Sequence, residues 1–298
     1  MHGAWRARRG AMAARLAAHA TIAALSVAGV AMLVSLLLFL ALGAVAGVLA
    51  GLLGVGGGLV LVAALAWLLP NMGVPREAAM HAALASSLAS IVLTAAASAR
   101  AHNRRGSVLW PTVCWMVPGL LVGGWLGSDV AVHIDGDALR WIVAVYCVLA
   151  AAQLMFGGTR AAPAGGDVTA PRGLAMTLAG GCIGAVSAVV GIGGGSMTVP
   201  LLVWRGVFPV RAVGTSSACG VAIGLASAVG YALHAPDGAL PQFAWGYVYL
   251  PAAAGVAAAS VLAAPYGTRL AHRLDGRTLK RVFAGFLLAV AASLALGG

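Results

Sequence analysis

Two glycine clusters carry the strongest chemical signal in the sequence. The stretch GLLGVGGGLVLV (51–62) is aliphatic except for five glycines, and a second cluster, GIGGG, occupies 191–195. Glycine-rich loops bind phosphates when they connect a strand to a helix and carry a Lys-Ser/Thr pair or a downstream acid. Neither cluster has these companions, and both are flanked by apolar runs of membrane-helix length. Nucleotide binding is therefore not predicted.

Consecutive glycines predict breaks in membrane helices, because each one weakens a helix by about 1 kcal/mol. Close helix packing is the alternative role for glycine in lipid, and the spacing of Gly43, Gly47 and Gly51 suits it. Unpaired backbone is tolerated in a bilayer only when it is buried in protein or lines a cavity, and helix N-termini there favour an anion. The predicted binding glycines are Gly54, Gly56, Gly57, Gly58, Gly191, Gly193, Gly194 and Gly195.

Hydroxyl side chains recur at matching distances after the two clusters. HAALASSLAS (81–90) follows the first cluster and AVGTSSACGV (212–221) follows the second. Hydroxyls in membrane helices often bond back to the helix's own carbonyls, so a structural role is the alternative for each. Recurrence in both halves favours residues that line the same cavity. The predicted binding hydroxyls are Ser86, Ser87, Thr215, Ser216 and Ser217.

Composition places these motifs in a membrane. The chain has 298 residues, of which 61% are hydrophobic and 8% charged, and its mean hydropathy is +0.98. A polytopic helical membrane protein fits this composition, since one crossing needs roughly 20 apolar residues. The net charge of +11 comes almost entirely from loop arginines, which is typical of membrane orientation signals. Aromatic residues do not alternate with these arginines, so nucleic acid is not a predicted partner.

The sequence offers no catalytic constellation. The four cysteines lie singly in apolar runs, and neither an HExxH pattern nor a Ser-His-Asp order is present. All seven acidic residues are expected in loops or at the ends of spans, which leaves no carboxylate relay within the membrane. We therefore predict a protein that is not an enzyme, with no catalytic residues, metal or cofactor.

An internal repeat organises the chain. GAVAGVLAGLLGVGGGLVLV (43–62) is echoed by GGCIGAVSAVVGIGGGSMTV (180–199), and 136–156 resembles 276–296. Each half reads as a glycine-broken helical hairpin followed by three transmembrane helices. The predicted domains are a basic N-terminal segment (1–32), a first repeat (33–157), a linker (158–172) and a second repeat (173–298). The predicted spans are 33–53, 57–69, 78–99, 108–128, 139–157, 173–190, 195–204, 212–233, 244–264 and 280–297.

Loop charges predict the orientation. The arginine-rich stretches 100–106 and 269–281 should be cytoplasmic, and 128–137 and 234–241 should lie outside, which makes the C-terminus periplasmic. Three crossings after each hairpin is an odd number, so the two repeats should be inverted relative to each other. The same scheme places the N-terminus outside, whereas the arginines of 1–15 favour the inside. A further crossing within 16–53 would reconcile the two.

The doubled glycine motif resembles that of a known family. GLLGVGGGLVLV and GIGGGSMTVPLL, each followed by a serine-bearing helix, are similar to the TauE/SafE family of sulfite exporters, also described as domain of unknown function 81. The resemblance covers roughly 35–297 and implies a multi-pass protein of the bacterial inner membrane. It further implies transport of a small sulfur-containing or organic anion.

The predicted function is therefore a permease that moves a small anion, such as sulfite, sulfonate or thiosulfate, outward by alternating access. Its expected partners are that anion and the lipid bilayer, and a homo-oligomer is one assembly that the sequence allows. The alternative is a membrane-embedded accessory or assembly subunit without transport activity.

Overall fold

The fold is known from a computed structural model, in which helices dominate. It describes residues 29, 32–50, 57–156, 170–234, 240–271 and 276–296. In the first half of the chain the helices are α1 (Met32–Ala50), α2 (Gly58–Leu68) with a 3-10 turn (Leu69–Met72), α3 (Arg76–Arg104), α4 (Trp110–Val132) and α5 (Gly136–Phe156). In the second half they are α6 (Leu174–Val190), α7 (Gly195–Trp204), α8 (Pro209–Leu233), α9 (Leu250–Ala271) and α10 (Gly276–Leu296).

Six of the described helices are long and apolar enough to cross a membrane, namely α1, α3, α4, α5, α8 and α9. Large apolar side chains cover their outer faces, for example Trp115, Leu149 and Leu262, the last of which is 73% exposed. Such an apolar surface is unfavourable in water but suits contact with lipid. The prediction of an all-α membrane protein is confirmed at this level.

The predicted spans match the observed helices closely in most places. α7 has the predicted bounds, α2 differs from the predicted 57–69 by one residue at each end, and α6 differs from the predicted 173–190 by one residue at its start. The predicted span 244–264 is wrong at its start, because 244–249 forms a ribbon of two short strands, β1 (Ala244–Trp245) and β2 (Val248–Tyr249). The Tyr247 amide donates to the Tyr231 carbonyl, 3.2 Å away, and so ties this ribbon to the end of α8.

The helices pack in a recurring pattern. α3 lies against α8 and α5 lies against α10, so each half of the chain contacts the other through the same kind of helix. α4 packs on α6 and α8, while α3 packs on α9. The short helices α2 and α7 rest on α3 and α8, respectively. This arrangement places both short helices beside the central α3–α8 pair.

Glycines allow the closest of these helix contacts. A Cβ atom added to Gly47 of α1 would lie 2.5 Å from the Ser260 carbonyl oxygen of α9. A Cβ atom added to Gly184 of α6 would lie 2.6 Å from the Leu120 carbonyl oxygen of α4. Small residues serve this purpose in lipid, where packing replaces the hydrophobic effect as the force between helices. The expected packing role is confirmed for Gly47, and Gly51 lies outside the described residues.

Candidate functional site

Both predicted helix breaks are present, and glycine defines each one. α2 begins after Gly57, whose φ of 63° is left-handed, and α7 begins after Gly194, whose φ is 72°. α6 ends at Val190, and the residue that follows it, Gly191, is also left-handed with φ 76°. Residues with a Cβ atom rarely adopt this backbone conformation, so the fold favours glycine at these positions. Gly54 and Gly56 lie outside the described residues.

The two breaks touch each other inside the protein. A Cβ atom added to Gly58 would lie 2.7 Å from the Gly191 carbonyl oxygen, so no side chain separates the two backbones. The Gly193 carbonyl oxygen lies 3.0 Å from the position of a Cβ on Gly220 of α8. Gly195, the first residue of α7, is buried as well. The structure thus places Gly58 of the first cluster directly against Gly191 of the second.

Ser87 joins the two breaks. Its hydroxyl oxygen lies 3.2 Å from the Gly58 carbonyl oxygen and 3.2 Å from the Gly191 carbonyl oxygen, and the residue is fully buried. One hydroxyl proton can be donated to only one of these carbonyls at a time. Ser87 is therefore the predicted hydroxyl that the structure places at the centre of the site.

Ser86 and Thr215 make contacts away from the breaks. The Ser86 hydroxyl accepts the Tyr249 amide at 3.0 Å, which holds β2 against α3. The Thr215 hydroxyl accepts the Leu109 amide at 3.0 Å and donates to the Arg211 carbonyl at 2.7 Å. The Ser86 hydroxyl thus stabilises the segment that precedes α9, and the Thr215 hydroxyl stabilises the segment that precedes α4.

The remaining predicted hydroxyls lie on α8. The Ser217 hydroxyl lies 3.0 Å from the Ser98 hydroxyl of α3 and also donates to the Val213 carbonyl. Ser216 is buried, with 2% of its surface exposed. The pair Ser98–Ser217 is a polar contact within the α3–α8 interface, within about one helical turn of the level at which Gly220 meets the second break.

Hydroxyls that the sequence analysis did not single out surround the second break. Ser187 in the last turn of α6 and Thr198 in the first turn of α7 are fully buried. Neither hydroxyl has a hydrogen-bond partner among the described residues. The Ser196 hydroxyl lies 2.6 Å from the Tyr146 hydroxyl of α5. Aligning the two repeats residue by residue would have revealed that these positions are polar in one copy only.

A polar cluster lies at the end of the bundle where α4 finishes. His81 Nε2 lies 3.0 Å from the Ile134 carbonyl oxygen, and its ring stacks on Tyr247 with centroids 5.0 Å apart. Burial raises the pKa of the Tyr247 hydroxyl, so this group stays neutral. His234 lies 3.0 Å from the Asp129 carboxylate. In the part of the chain that the structure describes, no three His, Cys, Asp or Glu side chains form a metal-binding group.

Helices of membrane-crossing length and apolarity around two helix breaks define a polytopic membrane protein, and transporters commonly contain such broken helices. Known proteins agree with this class. The sequence matches the family described as Sulfite exporter TauE/SafE over residues 38–294, and the chain belongs to that family. The resemblance noted in the sequence is thereby confirmed.

Relatives in two organisms carry the same general description. A protein of Haemophilus influenzae named "Probable membrane transporter protein" is 34% identical over 262 residues, which cover 88% of this chain and 98% of the relative. A Xylella fastidiosa protein of the same name is 30% identical over 262 residues, covering 86% of this chain and 94% of the relative. No solved structure matches the sequence. The relatives of this chain are thus described in general terms as membrane transporters, and the similarity covers most of its length.

Proposed function

We propose that this protein is a bacterial inner-membrane permease that moves a small anion outward, with sulfite, a sulfonate or thiosulfate as the substrate. The observation that carries the proposal is the contact between two glycine-defined helix breaks within a bundle of membrane-crossing helices. Irregular backbone at membrane depth is tolerated where it serves a cavity, and transporters use such broken helices to bind substrate. The family's description names sulfite as an exported anion.

The helix breaks favour an anion over a cation. α2 and α7 both begin at a break, and a helix N-terminus carries partial positive charge and free amide groups. The acidic residues that the structure describes in α3, α4 and α5 lie in a first or last turn, namely Glu77, Asp129 and Asp137. An anion at the breaks would therefore meet little carboxylate repulsion from these helices.

We propose that the two halves form inverted repeats that rock against each other in alternating access. Equivalent contacts support this arrangement: Gly47 packs on Ser260 between α1 and α9, and Gly184 packs on Leu120 between α6 and α4. Gly47 and Gly184 occupy matching positions in the two repeats, as do the helices that they meet. When two repeats are related by a twofold axis in the membrane plane, a contact that a helix of the first repeat makes with the second repeat is expected to recur with the roles of the two repeats exchanged.

Outward movement needs no dedicated coupling ion in this scheme. An anion that leaves a cell gains about 2.3 kcal/mol per charge for each 100 mV of inside-negative potential. The arginine-rich stretches 100–106 and 269–281 would then face the cytoplasm, and the C-terminus the periplasm. Reporter fusions at these loops and at the C-terminus test the orientation separately from transport.

Flux through proteoliposomes tests the proposed function. Purified full-length protein is reconstituted, and radiolabelled sulfite, thiosulfate and a small sulfonate are followed with and without an imposed membrane potential. We expect saturable flux of at least one anion, accelerated when the potential drives the anion out of its compartment. Protein-free liposomes provide the background. Absence of flux for every anion under both conditions would contradict the permease and favour the accessory subunit.

A further inference from the structure

The two helix breaks share a left-handed glycine before the short helix but differ in chemistry. The glycine triplet at 56–58 recurs 137 positions later at 193–195, and this offset pairs the surrounding residues. Three positions are hydroxyls in the second repeat and apolar in the first. These pairs are Ser187 with Ala50, Ser196 with Leu59, and Thr198 with Leu61.

The pairing holds in space as well as in sequence. A Cβ atom added to Gly194 would lie 3.4 Å from the Ser187 hydroxyl oxygen. A Cβ atom added to Gly57 would lie 3.4 Å from the Ala50 Cβ. The same spot beside the glycine that begins each short helix therefore holds a hydroxyl in one repeat and a methyl group in the other.

Ser187 and Thr198 carry unused hydrogen-bond donors. Three buried hydroxyls lack a partner within the described part of the chain: Thr112, Ser187 and Thr198. Buried polar groups are nearly always bonded, because an unpaired one loses its hydration without compensation. Other buried hydroxyls follow this rule, since Ser90 donates to the Ser87 carbonyl and Thr94 to the Ser90 carbonyl. A ligand would remove the penalty at Ser187 and Thr198.

Both hydroxyls lie at the N-terminus of α7. The Thr198 amide donates to the Gly194 carbonyl at 2.8 Å, so Thr198 lies in the first turn, and its side chain shares the buried face of α7 with Gly195 and Leu202. The Ser187 backbone is already occupied, because its carbonyl accepts the Gly191 and Ile192 amides. At Ser187, the hydroxyl is therefore the group that can reach a ligand at the break.

We propose that the second break is the oxyanion-binding site of the protein, with the Ser187 and Thr198 hydroxyls as donors to the oxygens of the anion. This inference rests on the proposed function and adds the residues and the ligand class. The free amides and partial positive charge of the α7 N-terminus supply the remaining attraction. In the first break Gly57 begins its short helix from the same left-handed conformation, but these hydroxyls are missing, so that break serves the fold and not the ligand.

Equilibrium binding of radiolabelled sulfite to the purified full-length protein tests this site, with sulfate and phosphate as competing oxyanions. We expect Ser187→Ala and Thr198→Val each to weaken sulfite binding about tenfold, the effect of losing one donor to a charged ligand. Thr198→Ser keeps the hydroxyl and should restore binding. The controls are Ser90→Ala and Thr94→Val, which remove buried hydroxyls that already have partners and should leave binding unchanged.

Thermal unfolding without ligand separates a binding role from a structural one. Because the two hydroxyls have no partner, their removal should leave the melting temperature unchanged or raise it. A lower melting temperature with unchanged sulfite affinity would overturn the inference. If the wild-type protein transports an anion but Ser187→Ala and Thr198→Val bind it normally, the site is wrong and the permease stands. If the wild-type protein neither binds nor transports any of these anions, the proposed function fails as well.

Discussion

The two helix breaks show which features the fold requires twice and which the ligand requires once. Gly57 and Gly194 both begin a short helix from a left-handed conformation, with φ of 63° and 72°. In the first repeat Ala50 and Leu61 occupy the positions that Ser187 and Thr198 occupy in the second, so hydroxyls are present there in the second repeat alone. A single small anion needs one set of hydroxyls, while a paired architecture needs a helix break in each repeat. Backbone geometry and binding chemistry can therefore diverge between repeats.

The largest effect is expected where the two breaks are alike. Gly194→Leu and Gly57→Leu should each abolish anion flux, because a side chain at Gly194 overlaps Ile223 and one at Gly57 meets the Ala46 carbonyl oxygen at 2.6 Å. Both residues would also be forced to keep a positive φ. The measurement is flux in proteoliposomes, normalised to the amount of protein inserted in the membrane.

Gly285→Leu is the matched control, since a Cβ atom there meets nothing within 4 Å. It should transport like the wild type. If Gly57→Leu or Gly194→Leu does so too, the breaks are not part of the transport path and the comparison between them loses its basis.

An intermediate effect is expected at the glycines that pack the two halves. Gly47→Ala and Gly184→Ala each bring a Cβ atom to 2.5–2.6 Å from a carbonyl oxygen of the neighbouring helix. Such overpacking costs about 1–3 kcal/mol, so both variants should melt at a lower temperature in detergent. Similar losses at the two sites are the expected result for equivalent contacts. A loss at only one site would show that the scaffold is less symmetric than its glycines indicate.

The smallest effect is expected where the second break can be converted to resemble the first. Tyr146 occupies the position in α5 that Phe286 occupies in α10, and Ser196 corresponds to Leu59. Tyr146→Phe removes the 2.6 Å contact with Ser196 and should cost about 1 kcal/mol of stability. Phe286→Tyr should bring no gain, because Leu59 offers no polar partner. Thermal unfolding of both variants measures these changes in stability. Shifts of equal size in the melting temperature would contradict the difference between the two breaks.

Much of the fold could be predicted because apolar runs and glycine clusters report directly on membrane helices. The bounds 195–204 match α7, since the glycines end one helix and the arginine-containing loop ends the next. The ribbon at 244–249 escaped prediction because it lies within the uncharged run between Asp237 and Arg269. The bond from the Tyr247 amide to the Tyr231 carbonyl, which ties the ribbon to α8, is a tertiary contact that this pattern does not indicate.

The candidate site was less accessible to sequence reasoning. Ser87 is at the junction of the breaks, but Ser86 and Thr215 carry the same side-chain chemistry and contact other loops. A Ser-Ser pair does not reveal which hydroxyl faces inward, because that depends on the rotation of α3 against its neighbours. An alignment of the repeats shows that Ser187 and Thr198 are polar in one copy only, but their missing hydrogen bonds are visible only in three dimensions.

The central claim is that a transported anion occupies the second break and not the first. A variant without Cys114, Cys147, Cys182 and Cys219 that retains flux provides the background for Thr198→Cys and, as its matched partner, Leu61→Cys. A small, water-soluble thiol reagent is then applied with and without sulfate, which does not react with the reagent and is added at a concentration high enough to saturate a site without the Thr198 hydroxyl. The account predicts that the anion slows modification at 198 and leaves modification at 61 unchanged. Equal protection at both positions, or protection at 61 alone, would contradict it.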